Sequence, residues 1–169
     1  MEFYPEEGKY HYNGHRKCRL SQSPEQTLKR GNRCPVCEKA MTLRGLHRVQ
    51  SLAGETSEGT LGPDGFIRAV DGRTPFLRLV QLEEVLSKTL EVGRRSKSVQ
   101  TAYRKLCAEL GNELTVLAKA ELPDLERIAG ERVAQAIIRA RKGQVSVEPR
   151  FDGQYGTVRV GLEGPARLL

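Results

Sequence analysis

The sequence predicts an α+β protein: a small, basic, zinc-ribbon-like module followed by a mainly helical domain. Three observations lead there. His15, Cys18, Cys34 and Cys37 stand at paired short spacings near the N-terminus, apolar residues recur at helical intervals from Leu82 to Ile138, and valines alternate on both sides of a turn-rich C-terminal stretch. A chain of 169 residues suits one ordinary domain or two small ones. The expected boundaries are 1–49 for the basic zinc-binding module, 50–75 for a linker or mobile loop, 76–162 for a helical domain with a terminal β-hairpin, and 163–169 for a tail. With 38% hydrophobic and 29% charged residues, the core is small and much of the surface solvated, without the depletion that prevents folding. No apolar run approaches the ~18 residues a membrane helix needs. The opening MEFYPEEGKY has neither the basic nor the apolar region of a secretory leader, so no membrane partner and a cytoplasmic location are expected.

The first module holds most of the positive charge. Residues 9–48 carry ten Lys/Arg against two Glu, whereas residues 49–169 carry 18 against 16. Such a cluster suits a phosphate backbone, because each neutralised phosphate releases a condensed counterion; a merely solvated basic face is the plainer alternative. Within it lies H-x2-C-x15-C-x2-C. Two residues between thiols let both reach one ion from a tight knuckle, and the spacer has room to bring the second pair alongside. Three thiolates and an imidazole suit one structural Zn2+, with no coordination position left open. His11 and His47 compete with His15 for the fourth place. A redox C-x-x-C would need a strand before it and a helix after it, and the Gly, Asn and Pro of KRGNRCPVC mark turns instead. The run TLRGLHRV reads as a ribbon strand.

The glycine-rich stretch 50–75 has no sustained period, hence the linker. Leu82, Val85, Leu86 and Leu90 then mark one helix. Ser96 or Ser98 caps a second through Val99, Tyr103, Leu106 and Leu110, with Cys107 inside it as a small hydrophobe. Leu114 and Leu117 suggest a short third helix, Pro123 opens a fourth with Leu125 and Ile128, and Val133, Ala134, Ile137 and Ile138 mark a fifth ending at Gly143. The segment LPDLERIAGERVAQAIIRARKG, turning at Gly130, is similar to a helix-hairpin-helix, whose hairpin amides hold a DNA phosphate; an ordinary αα-hairpin is the alternative. Arg94, Arg95 and Lys97 precede one helix, and Arg139, Arg141 and Lys142 end another. Cations there can clamp a backbone or simply complement the helix dipole. Val145, Val147, Val158 and Val160 flank the turn of the closing β-hairpin.

Five ordered segments carry a family resemblance: GKYHYNGHRKC, SPEQTLKRGNRCPVCEKAMTLRGLHRV, PFLRLVQLEEVL, GRRSKSVQTAYRKLCAELGNELTVL and VEPRFDGQYGTVRV. Together they resemble the C-terminal part of the endonuclease Q family, also found in proteins associated with UvrD-like helicases, from about residue 2 to residue 160. The resemblance implies a DNA-repair context, in which an N-terminal PHP nuclease nicks DNA beside deaminated or missing bases while zinc-binding and helical domains help hold it. The sequence opens at the zinc domain, so a truncated or split gene product without the PHP nuclease is expected. Its three histidines form no H-x-H pair. Glu83 with Glu84, and Asp152, have no neighbouring histidine with which to build a hydrolytic metal centre. Glu38 stands where such knuckles usually place Gly.

The expected function is therefore DNA holding without catalysis by this chain alone. Arg16, Lys17, Arg19, Arg44, His47 and Arg48 would contact DNA from the zinc module, and Arg94, Arg95, Lys97, Gly130, Arg132, Arg139, Arg141 and Lys142 from the helical one. Two alternatives stand beside it. One is a subunit of a split repair endonuclease, completed by a separately encoded PHP nuclease domain or working with a UvrD-like helicase. The other is a zinc-ribbon adaptor for protein partners.

Overall fold

The computed structural model describes residues 1–53, 59–69, 72–149 and 155–160. The expected tail at 163–169, Asp152 and most of the turn joining the terminal valine strands lie outside them. The described part mixes helices and small sheets, with contacts dividing it into two compact units. One takes the described residues of Met1–Phe3, Glu58–Ser146 and Arg159–Leu169, the other those of Tyr4–Ser57 and Val147–Val158.

The larger unit rests on a four-stranded sheet in the order β1-β6-β5-β4. Strand β6 (Phe76–Leu79) pairs parallel with β1 (Glu2–Phe3) and antiparallel with β5 (Phe66–Arg68), which pairs with β4 (Thr60–Leu61). Two strands thus occupy the stretch expected to be a linker. Two of its glycines frame a turn: Gly62-Pro63-Asp64-Gly65 reverses the chain, with Gly65 at φ +83° closing on the Gly62 carbonyl at 3.0 Å. Asp64 clamps the turn, accepting from Arg68 at 2.6 Å and from the Phe66 amide at 3.2 Å. The Arg68 bond holds its carboxyl down at about 2.

Five helices pack beside this sheet: α3 (Leu82–Leu90), α4 (Lys97–Leu110), α5 (Glu113–Ala118), α6 (Leu122–Ala129) and α7 (Glu131–Arg141). Their apolar positions form the core, with Leu82, Val85, Leu86, Val99, Leu106, Leu125 and Ile137 fully buried. Capping fixes the starts: Ser96 accepts from the Val99 amide, and Asn112 accepts from the Thr115 amide at 2.9 Å. Gly130 at φ +83° carries the turn between α6 and α7, a left-handed geometry in which a side chain would be strained. Strands β7 (Val145–Glu148) and β8 (Thr157–Val160) form a two-stranded sheet. No helix among the described residues is long and apolar enough to cross a membrane.

The smaller unit holds β2 (Asn13–His15), β3 (Leu20–Gln22), α1 (Pro24–Arg30) and α2 (Gly45–Leu52). Ser23 and Gln26 form a reciprocal capping box on α1, with Pro24 in its first turn. The strand expected over TLRGLHRV is instead α2. The half-buried Leu46, His47 and Gln50 fall at helical, not alternating, intervals, and the Gly45 amide is held by the Tyr10 carbonyl at 3.1 Å as the helix begins.

Candidate metal centre

Two reversals of the chain build the centre. In the first, β2 and β3 pair antiparallel with His15 opposite Leu20, and a single 3-10 turn, Arg16–Cys18, lies between them. In the second, the Cys34 amide donates to the Lys39 carbonyl at 2.8 Å, the Glu38 amide to the Cys34 carbonyl at 2.7 Å, and the Met41 amide to the Asn32 carbonyl at 2.8 Å. A short antiparallel bridge joins the reversals, as Gly14 and Thr42 exchange backbone bonds of 3.2 and 3.0 Å. The residue after the last cysteine of each reversal is left-handed: Arg19 at φ +50° and Glu38 at φ +58°. Neither is glycine, and a side chain in this region costs about 1–2 kcal/mol. Glu38→Gly is accordingly expected to raise the melting midpoint of the metal-loaded protein, by a stabilisation of up to about 1 kcal/mol, in thermal denaturation followed by circular dichroism.

The outcome is that one ligand atom each from His15, Cys18, Cys34 and Cys37 lies within 4.8 Å of all the others. His15 Nδ1 stands 3.3 Å from Cys37 Sγ. Cys34 is fully buried, while Cys18 and Cys37 are half-buried. The thiols share the site unequally. Burial pushes Cys34 up, but the backbone amides of Val36 and Cys37, with His15 and Cys18, outweigh it and bring the thiol down to about 6. Cys18 moves the other way, to about 11, chiefly because it hydrogen-bonds to Cys37. Cys34 thus ionises readily while Cys18 gives up its proton reluctantly, as expected where like groups crowd together. Three thiols and an imidazole are the donor set of a closed, borderline-soft metal site, and these residues could hold one ion. Bound there, a structural ion would pin the two reversals together.

His15, not its rivals, completes the cluster. His47 lies in α2 with Nδ1 3.3 Å from Asn13 Nδ2. Asn13 is fully buried; its side chain donates to Thr27 Oγ1 at 2.8 Å and accepts from the Arg44 amide at 2.8 Å, linking β2, α1 and the start of α2. Nothing in the sequence singled out Asn13. An Asn-Gly pair ordinarily signals a hairpin turn, yet here it lies within a strand, its amide consumed in the core.

The cations anticipated at a DNA interface divide by environment. Arg16, Lys17, Arg19 and Arg48 are exposed on the smaller unit, where Arg44 is half-buried with its guanidinium 4.8 Å from the centre of the Tyr10 ring. On the larger unit Arg95, Lys97 and Lys142 are exposed and Arg139 is half-buried. Arg94 sits among Glu83, Glu84 and Gln81, and Arg132 donates to the Thr89 carbonyl at 2.9 Å. Arg141 is engaged within the protein. Its guanidinium donates to the carbonyls of Leu117 at 2.7 Å, Val116 at 3.1 Å and Ala120 at 2.8 Å, and burial lowers its pKa. These carbonyls sit at the end of α5, where the helix no longer supplies donors, so Arg141 acts as a structural cap through three of its five N–H groups. Position in a last turn could not distinguish it from Arg139.

Comparison with known proteins supplies the context. Residues 81–144 match the family model described as the MJ0043 C-terminal domain. An uncharacterized protein of Methanocaldococcus jannaschii, MJ0043, is 31% identical over 154 residues, 91% of this chain and 18% of that protein. The crystal structure of PfuEndoQ, a lesion-specific endonuclease from Pyrococcus furiosus, superposes with a TM-score of 0.74 at 25% identity, over 95% of this chain and 37% of the endonuclease. A structure of endonuclease Q in complex with a 27-mer duplex bearing an abasic lesion at the active site gives a TM-score of 0.72 at 25% identity, over 95% of this chain and 38% of that one. The chain thus spans under a fifth of the curated relative and under two fifths of the solved endonucleases.

Proposed function

We propose that this chain is the DNA-holding portion of an endonuclease Q-like repair protein, non-catalytic by itself. The observation that carries the reading is the likeness to endonuclease Q over 95% of the chain, extending through both units. The duplex-bound relative makes double-stranded DNA the natural partner. In this reading residues 1–49 are a basic zinc ribbon whose four-residue cluster holds one structural Zn2+, and residues 76–162 a helical DNA-binding domain. Lys17, Arg19 and Arg48 meet phosphates beside the metal. Arg95, Lys97, Arg139 and Lys142 do so from the helices, and the turn at Gly130 offers the amides of a helix-hairpin-helix. Such contacts set position on the backbone and leave sequence unread.

Catalysis is placed elsewhere because four protein donors fill a tetrahedral ion and leave no position for water or phosphate. A PHP nuclease domain, with or without a UvrD-like helicase, would supply the cut. The zinc-loaded chain, incubated with uracil-, hypoxanthine- and abasic-containing duplexes in magnesium or manganese, is expected to shift each duplex and nick none. Reproducible nicking abolished by one substitution in this chain would overturn the non-catalytic reading. Binding should also be steeply salt-dependent, with a log–log slope of about −0.9 per phosphate contact. Replacing Arg139 and Lys142 together by glutamine should flatten the slope by up to about two such increments on every sequence alike, in fluorescence anisotropy.

A further inference from the structure

Four side chains of the smaller unit stand together outside the four-residue metal cluster. The Lys9 ammonium lies 5.3 Å from the centre of the Tyr10 ring and 5.5 Å from that of Tyr155, and the Arg44 guanidinium lies 4.8 Å from the Tyr10 ring. Both tyrosines are open to solvent, Tyr10 51% and Tyr155 70% exposed, in a chain with 5% aromatic residues. Their backbones are nevertheless fixed. The Tyr10 carbonyl accepts from the first residue of α2, Gly45, at 3.1 Å, and next to Tyr155 the Gly156 amide donates to the Glu7 carbonyl at 3.0 Å. That approach requires glycine, since a Cβ at position 156 would collide with the Glu6 carbonyl. Tyrosines 145 positions apart in sequence are thus brought to one lysine and held with their rings in water.

Exposed, positioned aromatic rings interleaved with cations suit one ligand chemistry. A nucleobase stacks on a ring face whatever its identity, while ammonium and guanidinium groups take the adjoining phosphates. We infer that Tyr10 and Tyr155, with Lys9 and Arg44, form a stacking platform for unpaired bases of a DNA strand. A paired base keeps its faces inside the duplex, so the platform favours single-stranded, gapped or lesion-opened DNA over an intact helix. The inference rests on the DNA-holding function proposed above and adds the state of the strand that is held.

Anisotropy titrations of the full metal-loaded chain with a labelled oligo-dT of about 12 nucleotides and with a blunt duplex test it. Tyr155→Ala should weaken oligo-dT binding roughly tenfold or more and leave the duplex unaffected, because stacking acts only on open bases. Tyr155→Phe, which retains the ring face, should bind as wild type. Gly156→Ala, which displaces Tyr155 without altering it, should reproduce the loss. In wild type, 2-aminopurine placed within the oligonucleotide should lose fluorescence on binding, and Tyr155→Ala should restore it. Duplex binding with oligo-dT affinity unchanged in Tyr155→Ala would overturn the platform alone, and so would an equal loss on both DNAs. Failure of the wild type to bind either DNA would overturn the platform together with the DNA-holding function.

Discussion

Replacing Cys34 by serine is expected to remove one equivalent of bound metal and to open the smaller unit, the largest effect foreseen for any single substitution. Cys34 is fully buried at the centre of the four-donor cluster, and a serine hydroxyl there neither ionises near neutral pH nor binds a borderline-soft ion well. Around it the unit has little else to hold it. Among the described residues its buried ones are few and include Tyr4, Met41 and the polar Asn13, Gln22 and Thr27. Structural zinc contributes roughly 10–16 kcal/mol of apparent binding energy in finger peptides, far above what such a core supplies. Metal content by mass spectrometry should fall from one per chain to none. Hydrogen exchange should then lose protection across residues 9–48, while the helices built on Leu82, Leu86, Leu125 and Ile137 retain theirs. Cys107→Ser, changing a residue outside the cluster, is the matched control and should keep full metal content.

Arg141→Met is expected to destabilise the larger unit by about 3 kcal/mol while leaving the salt dependence of DNA binding untouched. Methionine preserves the stem of the side chain but removes all three bonds to the Val116, Leu117 and Ala120 carbonyls. Those acceptors then lose their charged donor, and hydrogen bonds to charged groups are each worth about 1.5–3 kcal/mol. Urea denaturation measures the change. Lysine should not restore stability, because a single ammonium cannot span three carbonyls as a planar guanidinium does. Arg139 and Lys142, neighbours in sequence, should behave in the opposite sense, with little effect on stability and a flatter salt slope.

Much of this was legible in the sequence because it depends on local spacing. The helices from Leu82 to Arg141 declared themselves by apolar period, by Ser96 as a cap and by Gly130 as a turn, features that a chain must display wherever it lies. The four metal-ligating candidates were legible for a similar reason, since two-residue gaps set both halves of the site. Where meaning depends on what lies across space, sequence was silent or misleading. Arg141 and Arg139 look alike until the end of α5 is placed beside one of them. Asn13 carries no signal until Thr27 and the Arg44 amide surround its side chain. The stretch 50–75 looked like a linker because its strands are two and three residues long, too short for alternation to register. Tyr10 and Tyr155 could not be associated before the chain brought both to Lys9.

The most direct test of the central claim, a metal-held module that grips DNA through its phosphates, is a salt titration of binding to an abasic-site duplex by the chain with and without its metal. The metal-loaded chain should bind tightly at low salt and weaken linearly on logarithmic axes, with a slope several times −0.9. Chelation should then reduce both the affinity and the slope as the cations of residues 9–48 lose their fixed positions. Absence of binding at low salt, or an affinity indifferent to both salt and chelator, would contradict it.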